Sequence, residues 1–105
     1  NILAGSDCGP YNSFVYPGES LHLELEAMVN AGLTPTQALK TSVINGPQFF
    51  NLEDSYGSIS EGKIGDMIIL EKNPLEDIKN TRSIKFVVKN NKVYTPGDLL
   101  KNLNN

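Results

Sequence analysis

The sequence predicts an α+β fold, helices first and strands second, with the change near residues 52 to 60. Two periodicities and one turn carry this reading. From Glu19 to Ala31 apolar residues recur at helical spacing, whereas after Asp54 they fall into strand-like runs. Between the last two runs stands Asn90-Asn91, a pair that tolerates the left-handed backbone of a tight hairpin.

Taken in order, Asn1 to Ala4 reads as a short buried strand running into the turn-rich Gly5-Ser6-Asp7-Cys8-Gly9-Pro10. The chain opens inside this apolar run, which predicts a piece of a longer polypeptide. Tyr11 to Gly18 is a loop with three rings, Tyr11, Phe14 and Tyr16, that either pack over the end of a core or line a pocket. In the first helix Leu21, Leu25, Met28 and Val29 form one stripe, and Leu23, Ala27 and Ala31 widen it, so more than one face is expected to be buried. Its acidic residues Glu19, Glu24 and Glu26 lie toward the positive end of the macrodipole, and Gly32 stands where a terminating glycine belongs.

Thr34-Pro35-Thr36-Gln37 is a capping box with proline at the first helical position, so a second helix runs from about Pro35 to Ile44. Asn45-Gly46-Pro47 is expected to break it, and Gln48 to Leu52 to make a further helical turn that carries Phe49, Phe50 and Leu52 into the core. The strands that follow are Met67 to Leu70, Ile84 to Val88 and Val93-Tyr94, the last two closing a hairpin over Ile84 to Thr95. Pro96-Gly97 ends it, and Asp98 to Leu103 forms a closing helical turn.

At 105 residues the chain has the size of one small domain, well short of the roughly 200 residues that a complete (β/α)8 barrel needs. With 39% apolar and 20% charged residues the composition is that of an ordinary globular protein. Net charge is −3 and the basic residues are scattered, which argues against nucleic acid and anionic membrane as partners. Cys8 is the single cysteine, so no internal disulfide forms; without a signal-peptide or membrane-spanning run, the expected location is cytoplasmic.

A catalytic metal site needs about three protein ligands, and one His and one Cys do not make one. The close acidic pairs Glu24/Glu26 and Glu53/Asp54 lack helical i,i+4 spacing. Ser6, Asp7 and His22 could form a nucleophilic trio only if the intervening loop folds back, and Gly-Ser-Asp-Cys-Gly is not a G-x-S-x-G elbow. Asp7 stands apart, because it follows an apolar strand at its C-terminal end, where barrel enzymes keep their catalytic residues. A turn aspartate accepting local N–H groups has the same spacing, so both readings stay open on the residues alone.

Two stretches resemble the end of the amidohydrolase superfamily, in particular its imidazolonepropionase-like and metal-dependent prolidase-like members. The first is Ile2-Leu3-Ala4-Gly5-Ser6-Asp7-Cys8-Gly9 with Ser20-Leu21-His22-Leu23-Glu24-Leu25-Glu26, Ala31-Gly32-Leu33-Thr34-Pro35 and Ala38-Leu39. The second is Gly57-Ser58-Ile59 with Glu61-Gly62-Lys63-Ile64-Gly65-Asp66-Met67-Ile68-Ile69-Leu70, then Asn73-Pro74-Leu75 and Val88-Lys89-Asn90-Asn91-Lys92-Val93-Tyr94. Two departures are Gly65, where alanine is usual, and Asn45-Gly46-Pro47 in place of an Asn-Pro step.

The resemblance implies that residues 1–52 are the last strand of a (β/α)8 barrel with its helices, and residues 53–105 part of a small β-sandwich. It implies hydrolysis of a C–N bond in a small-molecule amide, cyclic amide or dipeptide by a metal-activated water. The metal would be a divalent ion, zinc by expectation, with Asp7 as ligand and proton shuttle. His22 and Tyr11 are the candidates for the substrate pocket. The other ligands are absent from these residues, so the chain alone is expected to be inactive. The alternative is a non-catalytic module that self-associates into a homo-oligomer through exposed strand edges, Asn1 to Ala4 among them.

Overall fold

The computed structural model describes residues 2–6 and 18–103, with no side-chain description for Asn102 and Leu103. Among them are four α-helices, α1 (Glu19–Asn30), α2 (Pro35–Val43), α3 (Asn45–Phe49) and α4 (Pro96–Leu103). Three strands, β1 (Met67–Leu70), β2 (Ile84–Lys89) and β3 (Lys92–Tyr94), form one antiparallel sheet in the order β1-β2-β3. A 3₁₀ helix, Ile78–Arg82, sits between β1 and β2.

Helix α1 ends as its glycine predicts. Gly32 has φ +118°, its N–H bonds the carbonyl of Val29 at 3.0 Å, and the N–H of Leu33 reaches back to Met28 at 3.1 Å. This is the paired closure of a Schellman motif, and a left-handed φ there favours glycine. Two residues on, the Thr34 hydroxyl accepts from the N–H of Gln37 at 3.2 Å while the N–H of Thr34 donates to Gln37 Oε1 at 2.9 Å, the reciprocal capping box that starts α2.

The expected break at Asn45-Gly46-Pro47 is instead the first turn of α3. Pro47 sits where its missing N–H leaves no helical hydrogen bond unmade, and the ladder resumes with Gln48 N–H to Ile44 O at 3.1 Å. The expectation that Phe49, Phe50 and Leu52 enter the core is also corrected. Phe49 and Phe50 are 67% and 65% exposed and stack edge to face on each other at 5.1 Å. Apolar composition drives a side chain toward cover, and among the described residues nothing lies over these rings.

The same reason narrows the buried face of α1. Only the Leu25 side meets α2 and the 3₁₀ helix, so Leu25, Ala38 and Ile78 form the buried cluster, with Ala4, Met28, Val29 and Leu39 packed around it. Leu21 and Leu23 on the other side stay exposed. Asn1 is outside the described residues, and Ile2 to Ala4, expected as a buried strand, have no strand beside them among the described residues; Ile2 and Leu3 are exposed.

The hairpin matches its prediction. Lys89 pairs with Lys92, leaving Asn90 and Asn91 as the two turn residues, with φ of 52° and 63°. Pairing of β1 to β2 shifts register between Ile69 and Leu70, where Lys85 is the extra residue of a bulge. Before β1, the irregular stretch 53–66 lies against the helices: a Cβ added at Gly57, whose φ is +97°, would meet the carbonyl of Val43 at 3.0 Å. Lys63 Nζ pins the stretch by donating to Glu53 O at 2.5 Å and Ser58 Oγ at 2.8 Å. Finally, α4 is longer than a single turn, because Thr95 and Asp98 cap it reciprocally at 3.1 Å each way.

Candidate functional site

The short approach to Asp7 is held by contacts from far along the chain. Ala4 packs on the buried cluster and its N–H donates to the carbonyl of Thr41 at 3.1 Å. Asn45, the first residue of α3, donates from Nδ2 to the carbonyl of Ile2 at 2.8 Å. Asp7 itself, Cys8 and Tyr11 lie outside the described residues.

His22, the remaining candidate, is on α1, half-buried, with Nδ1 bonded to Thr81 Oγ1 of the 3₁₀ helix at 2.9 Å. Thr81 is buried. Flanking this bond, Arg82 Nε donates to Glu26 Oε1 at 3.0 Å, and Arg82 Nη1 donates to Glu19 Oε1. The hydrogen bonds that Arg82 donates, to Glu19 first and Glu26 second, raise its pKa above its ordinary value. The helix and the 3₁₀ helix thus meet through an apolar centre, Leu25 and Ile78, with a polar rim on both sides. Arg82 is the chain's single arginine, and its pairing was not foreseen. The usable signal was Glu19, His22 and Glu26 at helical spacing on one face of α1.

Among the described residues, cavities open on the surface, two of them beside the elements already named. The larger, about 770 Å³, lies between the helices and the sheet, with Val43, Leu52, Tyr56, Ile64, Ile68 and Val87 on its apolar walls. Its charged groups neutralise each other: Asp66 Oδ2 accepts from Lys89 Nζ at 2.8 Å and Asp66 Oδ1 from the N–H of Asn90 at 3.2 Å. Both contacts lower the Asp66 pKa, the lysine more than the backbone. The smaller cavity, about 380 Å³, is bordered by Ile2, Gln37, Lys40, Thr41 and Asn45. His22 lines neither. Among the described residues no group of three or more His, Cys, Asp or Glu could hold a metal ion, and no helix is long and apolar enough to cross a membrane.

Against this geometry stand the similarities to known proteins. The family described as "Amidohydrolase family" matches residues 1–96. An ochratoxinase from Aspergillus niger is 38% identical over 87 residues, covering 81% of this chain and 18% of that protein. An imidazolonepropionase from Desulfotalea psychrophila is 32% identical over 71 residues, 67% of this chain and 16% of that protein. In structure, a Xaa-Pro dipeptidase superposes with a TM-score of 0.70 at 28% identity, over 77% of this chain and 20% of that one. The chain therefore spans about a fifth or less of the length of these relatives.

Proposed function

The chain belongs to the amidohydrolase family, and on that premise we propose that it is the C-terminal part of a metal-dependent hydrolase of C–N bonds. In this reading residues 1–52 end a (β/α)8 barrel and residues 53–105 belong to a small β-sandwich. The observation that carries the proposal is the family match over residues 1–96, to which the 38% identity with an ochratoxinase adds weight. The substrate is a small-molecule amide, cyclic amide or dipeptide, a range supported by the names of the relatives, an imidazolonepropionase and a Xaa-Pro dipeptidase among them.

The described residues do not by themselves make a metal site. In this reading, as the family resemblance implies, this portion contributes one ligand, Asp7, and the others come from elsewhere in the polypeptide. The chemistry that a divalent ion such as zinc supplies is a bound water whose pKa lies near 7. The task left to Asp7 is to hold a proton and return it. Tyr11 and His22 are the candidates for substrate contact, and His22 already has one ring nitrogen engaged by Thr81.

Replacing the carboxylate with a carboxamide of the same shape, Asp7→Asn, tests this in the polypeptide that carries the chain, loaded with zinc and assayed on N-acyl amino acids and Xaa-Pro dipeptides. Loss of proton transfer is expected to lower kcat by about 100-fold or more. A variant within about threefold of the parent rate would remove Asp7 from the chemistry.

A further inference from the structure

We infer that His22 and Thr81 form a joint that locks the helical portion of the chain to its sheet portion, and that the His22 ring serves this joint rather than a substrate. The inference rests on side-chain geometry, and it narrows the functional reading above by taking one residue out of the substrate pocket.

Helix α3 ends at Phe49 and the sheet begins at Met67. Among the described residues, every side-chain hydrogen bond between residues 2–52 and residues 53–103 runs from α1 to Thr81 or Arg82. The Arg82 pairs stand partly in solvent, with the Arg82 side chain 34% exposed, so water screens them and they hold little. Thr81 is different, being 4% exposed. Its hydroxyl is hydrogen-bonded to His22 Nδ1 at 2.9 Å across 59 positions of sequence, and among the described residues it has no other partner. A buried hydroxyl that loses its partner bears the full cost of its lost hydration, so this bond outweighs the exposed pairs beside it.

The 3₁₀ helix is a firm base for this joint. Ser83, directly after it, donates from Oγ to Asn80 O at 2.7 Å and accepts the Lys72 N–H at 3.0 Å, while its carbonyl accepts the Glu71 N–H at 2.8 Å. The 3₁₀ helix is thereby fastened to the end of β1. Beside the hydrogen bond lies an apolar contact: Leu25 follows His22 by one turn of α1, and Ile78 precedes Thr81 by one turn of the 3₁₀ helix. Residues so spaced share a face on either kind of helix, so the two contacts sit next to each other. Two adjacent contacts fix an angle between elements that a single contact leaves free to turn. A ring engaged in this way, and bordering neither cavity described above, is placed for support and not for a ligand.

An asparagine amide at position 22 reaches the place of Nδ1, whereas a glutamine amide reaches that of Nε2, so these two variants divide the roles. His22→Asn, His22→Gln, Thr81→Val and the double variant His22→Gln with Thr81→Val are made in the zinc-loaded polypeptide that carries the chain. Backbone hydrogen exchange is followed segment by segment, and KM is measured on N-acyl amino acids and Xaa-Pro dipeptides. His22→Gln and Thr81→Val are each expected to speed exchange in α1 and the 3₁₀ helix by about tenfold, the double variant by about the same factor, and His22→Asn by less than about threefold. Exchange in the β2–β3 hairpin stays at the parent rate, and KM stays within about twofold in all four variants.

Three results would overturn the inference. One is parent-like exchange in His22→Gln or Thr81→Val. Another is a double variant whose acceleration multiplies those of the two single changes, to about 100-fold. The third is His22→Asn with parent-like exchange and a KM raised about tenfold or more, which would return the ring to the substrate. Where neither substrate turns over, exchange decides alone. An Asp7→Asn enzyme of full activity would bring down the functional reading and leave this inference standing, because exchange is read without turnover.

Discussion

Helices α1 and α2 lie side by side, but their starts are specified in opposite ways. Helix α2 starts with a cap contained in four consecutive residues, Thr34 to Gln37, each supplying what the other lacks. Helix α1 starts at Gly18, which has no side chain to cap with, and its first turns are tied instead to residues about 60 positions away: Glu19 to Arg82, and His22 to Thr81. Local specification survives the loss of a partner element. Long-range specification makes α1 depend on the 3₁₀ helix being in place.

The largest test of that dependence is the apolar centre of the junction. Leu25 is 4% exposed and meets Ile78 and Ala38 in a cluster with few other members. Leu25→Ala removes transfer free energy and leaves a void, which costs about 2–4 kcal/mol in cores generally. Chemical denaturation of the polypeptide should show a loss in this range. A loss below about 1 kcal/mol would mean that α1 is held by something other than its contact with the 3₁₀ helix.

A smaller effect separates the two helices from the other side. Thr34→Ala removes a cap whose partners are all local, for an expected loss of about 1 kcal/mol. Measured in the same way, it should leave the α1 junction intact, so that combining it with Leu25→Ala gives a nearly additive loss. Coupling of more than about 0.5 kcal/mol would show that the cap of α2 also supports α1, and the contrast between the helices would dissolve.

The same contrast explains what was legible in the sequence. The capping box, the Gly32 terminator and the Asn90-Asn91 turn were readable because each is a bargain between residues at most a few positions apart. Phe49 and Phe50 were placed in the core on their apolarity alone, which says that a surface wants cover but not where the cover comes from. The strand expected at residues 1–4 depends likewise on a neighbour, and among the described residues Ile2 to Ala4 have none. Arg82 was missed because its two carboxylates are 56 and 63 positions away. Of the candidate site, only the type of residue at Asp7 was readable; the hydrogen bond from Asn45 to Ile2 depends on the fold bringing α3 beside Ile2.

The sheet joins the two modes, and its weakest tie gives the last prediction. The hairpin is fixed locally by its turn, yet Asp66 clasps it from 24 positions away through Asn90 N–H and, across 23, through Lys89. The Asp66 pKa is lowered in the folded protein, first by the hydrogen bond from Lys89 and then by that from Asn90. A carboxyl whose folded pKa lies below its unfolded value, about 3.9, contributes stability above that value and loses it as pH falls through the folded pKa. Lys89 works in the other direction: its pKa is raised by Asp66, so its share is present below about 10.4 and lost as pH rises through the folded value. The stability difference between the parent and Asp66→Asn should therefore be level from about pH 6 to 9 and shrink at both extremes. High salt should lower the level part, because the pair is open to solvent. Denaturation midpoints at pH 3, 7 and 11 are enough to see it. A difference unchanged at pH 3 would mean that Asp66 holds the hairpin by its shape, and that the turn alone carries the register.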